Sequence, residues 1–185
     1  MIDSRSNQKF WKINTSNINK YEEFKRFFGE HGCRLEATHL DIKEINADPV
    51  TVVAHKASQL DEGILVDDTI LDVEGGSFGI NIRWLLGHLA EYERRKAEWT
   101  VLLAFHQGKE VLIYKGSVPG TIVKPRGPEG FGFDPVFLPN GTSNTLAEKK
   151  ENHFNARALA VKALMDEQIW RVHPVIDKWE GPWQK

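Results

Sequence analysis

Cysteine is almost missing from this chain: Cys33 is the only one in 185 residues. An intrachain disulfide and a four-cysteine zinc site are thereby excluded. No apolar run approaches the ~20 residues that cross a bilayer, so no membrane partner is expected. Excess positive charge is lacking too. Lys and Arg total 24 against 26 Asp and Glu, for a net charge of -2. That balance gives no bulk attraction to nucleic acid, and any polyanion must be met by a few placed cations. The seven histidines form no His-x-x-x-His pair, so neither a zinc site nor a histidine triad is expected. Met1 to Arg5 has no apolar core of the kind a secretion signal needs, and a cytoplasmic protein is expected. Repeats and low-complexity tracts are absent. With 41% hydrophobic and 27% charged residues, the chain suits one domain over 1–185, or two lobes sharing one sheet.

The pattern along the chain predicts an α/β protein with a mixed sheet. Lys9 to Asn14 alternates as a strand, and Tyr21, Phe24, Phe27 and Phe28 form a helical stripe closed by Gly29 and Gly32. Arg34 to Leu40 reads as a second strand. Asp48-Pro49 opens a helix with Val53, Ala57 and Leu60 inward. Ile64 to Val66 reads as a short apolar strand ending at Asp67-Asp68-Thr69, and Ile80 to Leu89 as a helix after the Gly75-Gly76 turn. Trp99 to Phe105 and Glu110 to Tyr114 suit a hairpin across Gln107-Gly108. Gly116 to Gly141 reads as a Gly/Pro-rich loop, and Asn152 to Met165 as one helix with Ala156, Ala160 and Ala163-Leu164 on a face. The tail 172–185 carries two tryptophans and has no clear assignment.

Residues 126–137, Arg-Gly-Pro-Glu-Gly-Phe-Gly-Phe-Asp-Pro-Val-Phe, interleave three glycines and two prolines with three aromatics and Asp134. Such a stretch is a poor helix or strand interior. It suits a loop that holds aromatic faces and a carboxylate around a flat polar ligand such as a purine. Thr15-Ser16-Asn17-Ile18-Asn19-Lys20 is a strand-to-helix junction, where backbone N–H groups, the helix dipole and Lys20 suit a phosphate; taken alone, Ser/Thr/Asn followed by Lys is more often a plain cap with a surface lysine. Asp67-Asp68-Thr69 is either an exposed acidic turn or a site for a divalent cation, with Glu44 as a second ligand. Lys56 and Arg83 are phosphate clamps or surface cations. Arg157 offers a donor fork that matches O6 and N7 of a 6-oxopurine, or a helix-surface salt bridge.

Taken in order over residues 9 to 165, these segments resemble the inosine triphosphate pyrophosphatase family. Gly75-Gly76, Ile82-Arg83-Trp84, Gly116 through Ile122 and Ala147-Glu148 also carry the likeness, as does Arg157-Ala158-Leu159-Ala160. The resemblance implies a long mixed central sheet with flanking helices, two lobes around a nucleotide-binding cleft, a homodimer and Mg²⁺ dependence. It implies that non-canonical purine nucleoside triphosphates (ITP, dITP, XTP) are hydrolysed to the monophosphate and pyrophosphate. By residue, Thr15, Ser16, Asn17, Asn19 and Lys20 would hold the triphosphate with Lys56, Asp67, Thr69 and Arg83. Glu44 and Asp68 would bind the metal, with Asp68, Lys20 and Lys56 catalytic and Asp68 activating the water. Phe131, Gly132, Phe133 and Asp134 would form the base pocket, with Arg157 on the 6-oxo edge.

The chain departs from the family pattern Lys-Asn-x-x-Ser-His-Arg, reading Glu151-Asn152-His153-Phe154-Asn155-Ala156-Arg157. Asn155 stands for the serine and Ala156 for the histidine, while the lysine falls on Glu151 unless a one-residue shift brings in Lys150. These changes bear on the base more than on the reaction. They leave two alternatives: a nucleotide-binding protein with little turnover, or a sanitising pyrophosphatase for another modified triphosphate.

Overall fold

In the computed structural model, residues 9–76, 81–128 and 130–184 are described. Strand β1 (Phe10–Asn14) leads into α1 (Ile18–Glu30), then β2 (Arg34–Thr38), α2 (Pro49–Ser58) and β3 (Ile64–Val73). Two short helices follow, α3 (Ile82–Gly87) and α4 (Leu89–Tyr92). The long strands β4 (Lys96–Gln107) and β5 (Glu110–Ile122) come next. A 3₁₀ turn at Asp134–Val136 precedes β6 (Phe137–Pro139), and another at Asn152–Phe154 precedes α5 (Ala156–Met165) and β7 (Arg171–Pro174). The sheet has seven strands in the order β2-β1-β3-β4-β5-β6, with β7 also on β5. It is mixed, as the pattern predicts: β1 pairs parallel with β2 and β3, and β5 antiparallel with β6 and β7.

The chain divides into two compact units, one of residues 1–68, 102–115 and 160–185, the other of residues 69–101 and 116–159. In the first, the α1 stripe buries Phe24, Phe27 and Phe28, and α2 buries Val52, Val53 and Ala57. In the second, fully buried Trp99 meets Phe133 and Phe137 edge-on, with ring centroids 5.6 and 6.4 Å away. Burying aromatics this size contributes most of the apolar stabilisation of such a core.

Several boundaries differ from the sequence expectation. Strand β3 does not stop at Val66 but runs through Asp67 and Asp68 to Val73, because Ile70, Leu71 and Val73 are buried in their turn. Strand β5 takes in Gly116 to Ile122, which reads as loop from its composition. A Cβ at Gly120 would lie 2.6 Å from the Leu138 carbonyl and from the Phe137 ring, so glycine there serves the close approach of β6. The 152–165 segment is a 3₁₀ turn and then α5, since Asn155 caps a new start by accepting from the amides of Arg157 and Ala158. Leu60 lies past the end of α2, and Val161 is buried where Ala163 is only half-buried. Of the predicted 80–89 helix, Ile80 lies outside the described residues, and the remainder breaks at His88.

Two glycines separate backbone strain from helix propensity. At Gly127 (φ 93°) a Cβ would sit 2.6 Å from backbone atoms of Ala147 and Glu148, whereas a Cβ at Gly29 in α1 meets nothing within 4 Å. Gly127→Ala is expected to cost about 2–4 kcal/mol, and Gly29→Ala to stabilise by about 0.5–1 kcal/mol. Urea unfolding of the two variants checks the opposite signs.

Candidate active site

In the first unit the strand order places β1 between β2 and β3, so the chain leaves β1 in one direction and returns on its other side. The carboxyl ends of strands at such a reversal open a crevice. Here that end is Asn14, which is stapled to the 38–40 segment. Its Oδ1 accepts from the Leu40 amide (2.8 Å) and the Thr38 hydroxyl (2.9 Å), and its Nδ2 donates to the Leu40 carbonyl (2.9 Å). The chain then turns through Thr15 and Ser16 to Asn17, whose Oδ1 caps α1 by accepting from the Lys20 amide at 3.1 Å. Ser16, Asn17 and Asn19 are exposed around this helix start. Exposed first-turn amides and the positive end of the dipole suit an anion.

Asp67 lies on β3 two residues beyond Leu65, the partner of Ile13, so it faces the point where β1 has already turned away. Its carboxylate is buried, 4% exposed, and accepts from Lys20 Nζ at 2.8 Å. Lys56, on α2, donates to the Asp67 backbone carbonyl at 2.8 Å and lies 3.5 Å from Glu44 Oε1. Lys20, Lys56, Glu44, Asp67 and Asn14 line one cavity of about 540 Å³. Half-buried Asp68 stands next to Asp67. Its pKa is pushed up to about 6, mainly by burial; Asp67 and Glu44 add to the rise, while Lys56 and Lys20 oppose it. Three carboxylates thus crowd against two ammonium groups, and a divalent cation would relieve that repulsion. A divalent cation shared with phosphate takes one or two carboxylates; Glu44 lines the cavity, and its charge acts on Asp68.

The second unit gathers the aromatic loop. The Asp134 carboxylate, 2% exposed, accepts from the Phe131 amide (3.0 Å) and from Lys150 Nζ (2.7 Å). Lys150, not Glu151, therefore faces the loop, and Glu151 pairs outside with Lys149 at 2.9 Å. The Lys150 ammonium lies 4.6 Å from the Phe131 ring centroid and 5.5 Å from that of Trp99. The Arg157 guanidinium lies 5.0 and 5.3 Å from the same rings. Arg157 is 3% exposed, which rules out the helix-surface salt bridge, and its Nη2 reaches Thr69 Oγ1 at 3.5 Å. Phe131 is half-buried under these two cations. Phe133, by contrast, is packed edge-on into the core, and Gly132 (φ 63°) turns the exposed corner between them.

The structure thus brings Thr15, Ser16, Asn17, Lys20, Glu44, Lys56 and Asp67 onto one cavity, with Asp68 in their field, while Asn19 is exposed on the first turn of α1 and does not line it. Separately, it groups Thr69, Phe131, Asp134, Lys150, Asn155 and Arg157. Arg83 is exposed on α3. Sequence reasoning missed Asn14 and Trp99. Asn14 bonds Thr38 and Leu40, 24 and 26 residues away, so no local signal marks it, and Trp99 reads only as one more strand aromatic.

The Asp68 shift carries a stability consequence. With its folded pKa above the unfolded one, the native state binds more protons between about pH 4 and 6, so this group's contribution falls as pH rises through that window. In a chelator, Asp68→Asn is expected to stabilise the protein at pH 7.5, by on the order of 2–3 kcal/mol, with the gain gone by pH 4. Paired urea titrations at the two pH values test it; equal gains at both would remove the assignment.

Comparison with known proteins gives the following. A sequence model described as the Ham1 family matches residues 11–167. A dITP/XTP pyrophosphatase of Hyperthermus butylicus is 35% identical over 172 residues, covering 82% of this chain and 90% of its own. An inosine triphosphate pyrophosphatase of Yarrowia lipolytica is 34% identical over 167 residues, covering 81% and 89%. The solved Ham1 protein of Staphylococcus aureus aligns with a TM-score of 0.65 at 22% identity, over 86% of this chain and 98% of that one, a likeness of fold.

Proposed function

The chain belongs to the Ham1 family, and from that premise we propose that it hydrolyses non-canonical purine nucleoside triphosphates (dITP, ITP, XTP) to the monophosphate and pyrophosphate. Relatives about one-third identical over most of their length carry the names dITP/XTP pyrophosphatase and inosine triphosphate pyrophosphatase. The single observation that carries the reading is the charge cluster Lys20, Asp67, Lys56 and Glu44 around a 540 Å³ cavity at the start of α1. A triphosphate needs placed cations, helix-start amides and carboxylates able to take a dication, and that cavity supplies all three.

In this reading Thr15, Ser16, Asn17 and Asn19 seat phosphoryl oxygens, and the Lys20 and Lys56 ammonium groups hold the pyrophosphate that leaves. Glu44 and Asp68 hold Mg²⁺, which when bound neutralises charge on the phosphates. The Asp68 carboxylate also accepts the proton of the water attacking the α-phosphorus, and Asp67 keeps Lys20 aimed. Phe131 gives the base a face, Asp134 fixes Lys150, and the Arg157 fork donates to O6 and N7 of a 6-oxopurine. Thr69 and Asn155 support that arginine, the first through its side chain and the second by capping α5. Gly132 and Phe133 shape the loop, and Arg83 adds an exposed cation. The family resemblance also motivates a homodimer working in the cytoplasm, with the two lobes forming one ITPase-like domain.

Pyrophosphate release over a nucleotide panel with Mg²⁺ tests the reading. ITP, dITP and XTP are expected to exceed ATP by roughly 10- to 100-fold in kcat/KM, since an amino group facing Arg157 leaves donors opposed. Asp68→Asn should lower kcat by at least ~100-fold at saturating Mg²⁺. Tight binding without release would instead favour the low-turnover reading that Ala156, in place of a histidine, keeps open. Turnover of a modified pyrimidine triphosphate alone would redirect the substrate.

A further inference from the structure

Glu44 sits on backbone that belongs to no helix or extended strand, between Leu40 and the start of α2. Its main chain is bonded to residues far along the sequence. The Gln184 amide donates to the Glu44 carbonyl at 3.0 Å, and the Asn46 amide donates to the Pro182 carbonyl at 2.9 Å. Gln184 Nε2 donates to the Ile45 carbonyl at 3.1 Å, and Ile45 and Trp183 form an isolated antiparallel bridge. The Trp183 ring stands edge-on to His55 of α2 at 5.6 Å, with Lys43 Nζ 4.9 Å from its centroid. The tail that carries these residues is tied at its root as well. The Val175 amide donates to the Lys109 carbonyl (3.0 Å), the Ile176 amide to Ser58 Oγ (2.9 Å), and Gln59 Nε2 to the Ile176 carbonyl (3.2 Å).

We infer that residues 175–184 are a positioning strap that fixes Glu44 beside Lys56, so that this segment sets the affinity of the site for its divalent cation. The strap lies beyond residue 167, where the match to the Ham1 family model ends. Physically, the segment holding Glu44 would otherwise lack ladder partners, and a carboxylate on loose backbone loses ordering entropy each time it binds an ion. Docking the segment on Trp183 and α2 removes that loss in advance. Supporting contacts of this kind typically change metal affinity 10- to 100-fold. Trp183 and Gln184 act through Glu44 and touch neither phosphate nor metal, so they are positioning residues. The inference rests on the proposed role of Glu44 as a metal ligand.

The test uses Trp183→Ala and, as a milder variant, Gln184→Ala in the full chain. Hydrogen exchange should show the Asn46 amide losing protection while Ile13 and Leu65 in the sheet keep theirs. Mn²⁺ titration without nucleotide should show at least ~10-fold weaker binding for Trp183→Ala and a smaller loss for Gln184→Ala. In turnover assays the half-saturating Mg²⁺ concentration should rise by the same factor, with kcat at saturating metal within about twofold of the parent. Adding Trp183→Ala to Glu44→Gln should produce no further loss of Mn²⁺ affinity. Unchanged protection of Asn46, or lost protection with unchanged Mn²⁺ affinity, overturns the strap. A parent protein that binds Mn²⁺ through Glu44 but releases no pyrophosphate overturns the enzymatic reading and leaves the strap standing on the exchange and titration results.

Discussion

A carboxylate buried in the middle of a β-strand is tolerated only when the structure supplies its counter-charge, and the arrangement of the first unit follows from that constraint at Asp67. Its partner Lys20 is delivered by the first turn of α1, which starts where it does because Asn17 caps it. Lys56 is drawn to the Asp67 carbonyl and thereby to Glu44. Two lysines from two helices thus converge on one strand. Their convergence gathers positive charge in a cavity that Glu44 also lines. A network of this kind is a poor source of stability, because desolvation offsets much of the Coulombic gain. Its value lies in fixing where charges stand before a ligand arrives.

The second unit solves a related problem with aromatic faces. Arg157 and Lys150 are both cationic and both packed against Trp99 and Phe131, where stacking on π-systems partly replaces lost water. Asp134 balances the charge, and its own position forces glycine at residue 130, where a Cβ would come within 2.5 Å of its Oδ2. Gly130 thus marks a close approach to that carboxylate, and Gly127 one to the backbone of Ala147 and Glu148. The Glu151 anomaly resolves in the same terms: consecutive lysines point apart, Lys150 inward to Asp134 and Lys149 outward to Glu151.

Much of the fold is legible in the order of apolar patterns. The Phe24–Phe27–Phe28 stripe, the Asp48-Pro49 start and the alternation in β1 all reflect local periodicity, and each element forms near where it reads. Reading failed where composition and tertiary context pull in opposite directions. The acidic pair resembles a strand end, yet the strand continues because lysines 47 and 11 residues away meet Asp67. Gly116 and Pro119 look like loop, yet they lie in β5, whose buried residues include Val118 and Ile122. The role of Asn14 is not legible in the sequence, because its amide staple depends on Thr38 and Leu40, whose distance along the chain hides the contact.

By itself the amino-acid sequence determined which chemical groups were present and on which kind of element each rode. It held lysines in helices after strands, carboxylates beside an apolar run, and aromatics between glycines, because these depend on short-range periodicity and backbone chemistry. Tertiary structure alone decided which of those groups share a field. It turned Lys150 rather than Glu151 to the loop, buried Arg157 on two rings, and laid the 175–184 segment along Glu44. Those outcomes hang on contacts between residues up to 140 positions apart, which only an assembled sheet and packed helices bring within hydrogen-bonding range.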